Sequence, residues 1–445
     1  MALDRESLEI LARAIEKLDA GFAQLPEFSP ASGSERVNEV LLALAEKLQD
    51  NYPYFHPMYA GQMLKPPHAV ARLAYSLAMY INPNNHALDG GRATSALEIE
   101  AVAEIATMCG WKKFLGHLCG GGTMANLEAL WVAGQLHSGK KILASDQSHY
   151  THERISGVLQ LPFEKVECDA LGRMDVNVLA KRVARGDVGT VVATLGTTAT
   201  GSVDPLPEIL ALREKFGIRV HVDGAYGGYF TLASNLGEHA AESFARIGEA
   251  DSIVIDPHKH GLQPYGCGCV LFRDPSLGRL YKHDSPFTYF SSAELHLGEI
   301  SLECSRPGAA AAALWATQKM FPLVREGEFA RGLERGREAA LRYFAALSKG
   351  EKFMPAFEPE LDILVFVPKG GSLQEISARS RRIFAAAARA GLHLAMAEVP
   401  AKFWQVLQAE DGRATVTCLR SVLMKPEHLE WVERIVETLE SCSLD

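Results

Sequence analysis

Apolar positions along this chain change period repeatedly, and the changes outline its elements. Over residues 4–24 and 34–49 they recur every three to four positions, which predicts two amphipathic helices. Pro53, Pro57, Pro66 and Pro67 then punctuate an irregular stretch that carries His56, Tyr59 and Gln62. Ser95-Ala96-Leu97-Glu98 has the spacing of a capping box and predicts a helix that opens there and stops at Gly110. From there short apolar runs alternate with helical stretches, giving strands at 116–119, 141–145, 163–167, 188–195, 218–223, 251–256 and 267–272. Such alternation predicts an α/β domain with a mostly parallel sheet, helices on both faces and ligands at the carboxyl ends of the strands. Two long helices follow at 308–321 and 325–347, then a smaller α+β unit with strands near 361–367, 392–397 and 415–420 and a closing helix at 427–441. Residues 368–373 read as a linker. The chain divides into an N-terminal helical arm (1–66), a large domain (67–322) and a small C-terminal domain (323–445).

Composition narrows the classes. With 47% hydrophobic and 22% charged residues over 445 positions, the chain is well supplied with core. A net charge of -9 argues against a nucleic-acid partner. No run of about 18 uncharged apolar residues predicts a membrane span, and the charged opening lacks the apolar region of a signal peptide, so a cytoplasmic protein is expected. Eight cysteines fit no disulfide framework, and Cys267-Gly268-Cys269 lacks a second pair to complete a zinc site. They are expected to be reduced thiols.

Five elements carry candidate chemistry. Gly120-Gly121-Gly122-Thr123-Met124 joins a strand to a helix, where glycine backbone and free helix N–H groups can hold a phosphate. It lacks the dinucleotide fingerprint, and the near P-loop at Gly134 to Lys140 has Lys141 where Ser or Thr is needed. His149 follows the strand 141–145 and can lie flat on a ring. His149 with His152-Glu153 lacks both the metalloprotease order and a third ligand, so no metal is expected. Thr197 and Thr198 sit in a hydroxyl-rich turn, which is also ordinary turn chemistry. Asp223 closes the buried run Val220-His221-Val222, where a carboxylate needs a cationic partner. Lys259, flanked by His258 and His260, follows Ile253-Val254-Ile255. A lysine for a Schiff base and an aspartate for a pyridinium nitrogen are what pyridoxal 5'-phosphate (PLP) requires.

The runs GGGTMAN, SDQSHYTHER, TLGTTATGSVDPL, HVDGAYGGYF and DPHKHGLQPYGCGCVLFRD, within residues 50–320, resemble the group II PLP-dependent amino-acid decarboxylases. The resemblance implies an aspartate-aminotransferase-like fold, PLP fold type I, in which the predicted strands form one large seven-stranded sheet, as a homodimer with active sites at the interface. It implies Lys259 as the Schiff-base lysine, Asp223 as partner of the ring nitrogen and His149 stacked on the ring. Gly122, Thr123, Met124 and His258 would lie at the phosphate, with Thr197 and Ala225 also at the cofactor. Ala125 stands where many members carry a serine, although shorter relatives resembling archaeal tyrosine/aspartate decarboxylases share the pattern. Tyr289-Phe290 and Ser305-Arg306-Pro307-Gly308 are similar to sphingosine-phosphate lyase.

The expected activity is decarboxylation of a small L-amino acid, with Tyr289 or His296 returning a proton to Cα. His56, Tyr59, His86, Thr94, His296 and Arg306 are the substrate-side candidates, and Arg420 can grip an α-carboxylate. A carbon–carbon lyase or an aminotransferase are the alternatives within the cofactor class. A non-catalytic PLP-binding or interaction protein is the alternative outside it.

Overall fold

Strand side chains alternate between two faces, and that alternation assembles the large sheet. The computed structural model describes residues 5–26, 34–86, 88–282, 300–404 and 414–442. Its large sheet holds β1 (Leu115–Cys119), β2 (Lys141–Ser145), β3 (Phe163–Val166), β4 (Val188–Thr194), β5 (Arg219–Asp223), β6 (Ser252–Ile255) and β7 (Gly268–Phe272). The order is β1-β7-β6-β5-β4-β2-β3, with β7 antiparallel to both neighbours and every other pair parallel. Each predicted strand of the sheet is present within a residue or two.

The two faces bury different helices. Val191, Ala193, Val220, Val222, Ile253 and Ile255 share a core with α4 (Leu88–Met108), α7 (Val176–Val183), α8 (Leu206–Phe216), α9 (Glu238–Ala245) and α10 (Gly308–Met320). The alternate positions Val192, Val254 and Val270 pack instead with α5 (Gly122–Leu136) and, beside Val192, α6 (Thr151–Val158). His221, Asp223, Ser252 and Asp256 have the parity of this second face. His221 bridges Asn126 Oδ1 and Ser252 Oγ there, each at 2.8 Å.

Two sequence readings are corrected. α4 starts upstream of Ser95 and is interrupted at Gly91, whose φ and ψ are −157° and 53°, so Ser95-x-x-Glu98 is no helix start. Glu98 is buried and takes Arg306 Nη1 at 2.5 Å, Asn85 Nδ2 at 2.6 Å and the Leu118 N–H at 3.0 Å. A carboxylate deep in a helix has been claimed by tertiary partners instead of the helix end. The working capping box belongs to α12 (Leu373–Arg389): Ser372 Oγ accepts the Glu375 N–H, and Glu375 accepts the Ser372 N–H. Residues 368–373 are therefore a turn, with Gly370 and Gly371 at φ 78° and 94°, and not a linker.

The smaller sheet, β10 (Ala395–Pro400), β11 (Thr415–Val422), β9 (Ile363–Pro368) and β8 (Phe353–Pro355) in that order, is antiparallel throughout. α11 (Glu328–Lys349) and α13 (His428–Ser441) complete its core, which also takes Met58 and Ala60 from the N-terminal arm. Ala60 N–H reaches His393 O and His393 N–H reaches Met58 O, both at 2.9 Å. α1 (Arg5–Ala20) and α2 (Ser34–Leu48) lie upstream of Met58 and Ala60, and α3 (Ala69–Met79) follows them. All eight cysteines are unpaired. No helix among the described residues is long and apolar enough to cross a membrane.

Burial pushes the pKa values of His221 and His428 down to about 3. A histidine held neutral in the fold takes up a proton on unfolding below its unfolded pKa of about 6.5. Stability contributed this way is present above about pH 6.5 and is lost progressively as pH falls toward 3. Between pH 7.5 and 5.5 the two residues should remove about 3 kcal/mol together. Burial pushes the Asp204 carboxyl up to about 7, which acts in the opposite direction over this range, so the test is the difference between chains: by urea denaturation His221→Gln should lose about 1.4 kcal/mol less than wild type between the two pH values. An unchanged slope in that variant would rule the histidine out as the cause.

Candidate active site

Loops leaving the carboxyl ends of β1, β2, β4, β5 and β6 meet around a cleft of about 530 Å³. Its wall includes Gly120 to Met124, His149, Thr198, Asp223, Ala225, Tyr226, Asp256, His258, Lys259 and Glu303. Chain direction explains the convergence, because every parallel strand of one sheet ends on the same edge.

The glycine turn is shaped from both sides. Gly121 has φ 143°, a conformation open to glycine and strained for other residues. A Cβ on Gly122 would lie 2.6 Å from Asp256 Oδ2, and one on Gly268 of β7 would lie 2.6 Å from Gly121 Cα. α5 starts here with no side-chain cap, so its first N–H groups, which have no acceptor within the helix, open on the cleft beside Thr123. At the rim Glu303 Oε2 accepts the Gly120 N–H at 2.9 Å.

Asp223 ends β5 and is 5% exposed. Its Oδ2 accepts His152 Nε2 at 2.8 Å and its Oδ1 accepts the Ala225 N–H at 3.1 Å. Burial alone would raise its pKa; the His152 hydrogen bond and the nearby charges of His152 and Lys259 outweigh it and hold the carboxyl well below the usual range. His152 is fully buried in the first turn of α6. His149, one turn earlier, accepts at Nδ1 from Thr151, whose Oγ lies at 2.7 Å and whose N–H lies at 3.3 Å. Burial lowers the His149 pKa, so the ring is neutral near pH 7 and carries its proton on Nε2.

Lys259 Nζ lies 3.2 Å from Asp256 Oδ2, and Asp256 is 2% exposed. Asp256 Oδ1 and His258 Nδ1 are buried in the cleft wall with no hydrogen-bond partner. A glycine cradle that any Cβ would fill, an uncapped helix start, an Asp223 whose pKa is held low and two unsatisfied polar atoms beside one amine fit PLP well. The N–H groups of α5 and Thr123 would take its phosphate, Asp223 its ring nitrogen and Lys259 its carbonyl carbon.

Several expected site residues lie elsewhere. Thr197 is wholly buried and bonds Thr200 Oγ at 2.8 Å and the Ser202 N–H at 3.1 Å, while its neighbour Thr198 lines the cleft. Arg306 is spent on Glu98 and on Leu118 O. Thr94 Oγ donates to Asn85 Oδ1 at 2.5 Å. His86 N–H donates to Asn84 Oδ1 at 3.0 Å, and His86 lies off the cleft wall. His56 packs edge-on against Trp431, and Tyr59 is buried among Tyr52, Tyr54 and His393. Arg420 is 3% exposed and donates to Thr198 O, Ala199 O and Gln62 Oε1, so its guanidinium is occupied behind the cleft. Tyr289 and His296 lie outside the described residues.

Asp256 and Glu303 carry no role in the sequence reading, and His152 is weighed there only as a metal ligand. Strand parity signals Asp256, which continues the Ser252, Val254 face toward α5. Helical spacing signals His152, one turn after His149. No local pattern signals Glu303, which reaches Gly120 from a distant segment.

Comparison with known proteins agrees with this geometry. Residues 127–369 match the model of the pyridoxal-dependent decarboxylase conserved domain. An L-tyrosine decarboxylase of Enterococcus faecium is 27% identical over 76% of this chain and 73% of its own. A probable L-tyrosine/L-aspartate decarboxylase of Methanothermobacter thermautotrophicus is 29% identical over 69% and 82%. Among solved structures, mouse CSAD superposes with a TM-score of 0.80 at 20% identity, covering 99% of this chain and 100% of that one. Tryptophan decarboxylase of Catharanthus roseus gives 0.76 at 16%, covering 99% of each. The fold is the aspartate-aminotransferase-like type I. The chain belongs to the pyridoxal-dependent decarboxylase family and is a PLP-dependent amino-acid decarboxylase.

Proposed function

We propose that the enzyme decarboxylates an L-amino acid whose side chain carries no negative charge, with Lys259, Asp223, His149 and the start of α5 as its working parts. The observation that carries the substrate class is the charge of the cleft wall. Among the described residues Asp223, Asp256 and Glu303 are acidic there, and Lys259 is the single lysine or arginine. His149 and His258 are both shifted by burial toward the neutral form. A second carboxylate on the substrate would enter an already negative space at several ångströms from like charges.

Bound PLP supplies an electron sink for the pair left at Cα when CO₂ departs. Asp223, kept ionised by His152, holds a proton at the ring nitrogen position. His152 acts through Asp223 and is a positioning residue. Lys259 Nζ would hold the cofactor, and as a free amine it lies 3.2 Å from Asp256 Oδ2, placed as a local proton carrier. His149 presents a neutral face to the cleft, fixed in orientation by Thr151. The start of α5 anchors the phosphate through backbone N–H groups. The proton donor to Cα is assigned to Tyr289, with His296 as its competitor.

The functional unit is a homodimer in the cytoplasm. Val37, Val40, Leu41, Leu44 and Leu48 of α2 are all exposed, an unpartnered apolar stripe of the kind a second copy covers. Eight unpaired thiols fit a reducing compartment.

Asp223→Asn should keep the fold and lower turnover by orders of magnitude, because a neutral amide cannot hold the ring proton. His152→Phe should leave a dry carboxylate without its charge-assisted bond, worth about 1.5–3 kcal/mol, and lower turnover about 10- to 100-fold while His152→Gln recovers part of it. Stopped-flow absorbance of the bound cofactor across pH, together with CO₂ release, measures both. Equal rates for wild type and His152→Phe would remove His152 from the mechanism.

On substrate, CO₂ release from tyrosine should exceed that from aspartate at least tenfold in kcat/KM. Faster release from aspartate would overturn the charge argument, and no CO₂ from any amino acid would overturn decarboxylation itself. On assembly, light scattering should give a dimer for wild type and a lighter species for the double variant Leu41→Glu, Leu44→Glu. A wild-type monomer at micromolar concentration would refute the dimer.

A further inference from the structure

A second cavity, of about 500 Å³, lies between the large domain and α11 of the small one. Its walls are mostly apolar, with Leu262, Phe321, Phe329 and Met424 among them, and two lysines, Lys65 and Lys425, line it together with Glu328 and Glu427. It is separated from the active-site cleft by a hydrogen-bonded partition. His260 faces this cavity while its chain neighbour Lys259 lines the cleft. His260 Nε2 and Tyr226 Oη meet on Asp362, at 2.9 and 2.5 Å.

The two amines are short of partners. Lys65 Nζ has a single carbonyl, Met424 O at 3.3 Å. Lys425, 5% exposed, donates to Tyr59 O at 2.6 Å and lies over the Tyr59 ring at 5.2 Å. Each ammonium carries three N–H donors. Among the described residues neither lysine has a carboxylate within ion-pair distance, although fourteen pairs of a lysine or arginine with a carboxylate form elsewhere. The acidic groups nearby are Glu328 and Glu427, both exposed at the cavity, and Asp362, committed to His260 and Tyr226. The other titratable neighbours are His68, His428 and Tyr59. His68 Nδ1 accepts the Val70 N–H, and His428 Nε2 lies 3.3 Å from Tyr59 O.

From this geometry we propose that the cavity binds a small organic carboxylate with an apolar body, its head on Lys65 and Lys425 and its body against Phe321, Phe329 and Leu262. Apolar walls with a few convergent polar groups are the usual composition of a small-molecule site, and the volume falls in the usual range. Two amines with no ion-paired carboxylate supply the head-group recognition that an apolar crevice lacks. Burial pushes the Lys65 and Lys425 amines down to about 8 and about 7, so a bound carboxylate must draw protons onto them. Affinity is therefore highest below about pH 7 and declines through pH 8 and above.

The test uses the PLP-loaded enzyme with 3-phenylpropanoate, which has no amine to react at Lys259, and inorganic phosphate as the non-organic arm. Calorimetry should show one 3-phenylpropanoate per chain, with affinity falling at least tenfold between pH 6.5 and 9. Lys65→Met or Lys425→Met should abolish it, whereas Asp223→Asn should not. In parallel, acylation at pH 7.5 followed by peptide mapping should modify Lys65 and Lys425 faster than exposed lysines, and 3-phenylpropanoate should protect both. The labelling needs no variant, so it decides the matter even if a lysine variant fails to fold. Loss of binding in Asp223→Asn, absence of protection, or binding of phosphate alone would each overturn the proposal.

Discussion

A carboxylate withdrawn from water stays ionised only where donors replace the solvent, and the active site is organised around meeting that requirement at Asp223. The strand delivers the side chain to the face covered by α5 and α6. α6 returns His152 to one oxygen, and the turn after β5 folds the Ala225 N–H onto the other. Without α6 on that face, the same carboxylate would be cheaper to protonate than to bury. The position of His149 follows as well, since it is one turn from His152 on the same short segment.

The same economy of charge runs through the rest of the cleft. Asp256 faces Lys259 from three residues earlier in the turn that follows β6, and Asp223 feels the same amine from the end of the neighbouring strand, so the amine lies between two carboxylates. The phosphate end needs no arginine, because an uncapped helix start and a glycine turn present backbone donors instead. Glu303 at that edge is the exception, a negative group resting on a backbone N–H where an anion would otherwise be welcome.

Much of this was legible in the sequence because parallel strands announce themselves as short apolar runs and their last residues become the site. Asp223, Lys259 and the glycine turn are all read that way. What failed did so for a physical reason. Ser95 and Glu98 fit a local rule, but Glu98 was recruited by Arg306 from more than two hundred positions away. The true box at Ser372 hid behind two glycines that looked like a linker. Thr197 and Thr198 are adjacent and chemically alike, and only the turn decides which faces inward. The substrate-side candidates lie in loops whose destination no periodicity encodes; His56 packs against Trp431 and Tyr59 against His393 of the small domain instead.

One topological detail bears on how the protein is made. β1 hydrogen-bonds to β7 alone, and Gly268 at the start of β7 is also the residue pressed against Gly121. During synthesis the strand leading into the phosphate turn therefore waits as an unpaired edge until residues 268–272 have left the ribosome. A nascent chain carrying every other strand of the sheet still has no fixed phosphate turn. Cofactor capture is thus deferred until the large domain is essentially complete, and a truncated product ending before β7 exposes an edge strand open to misassembly.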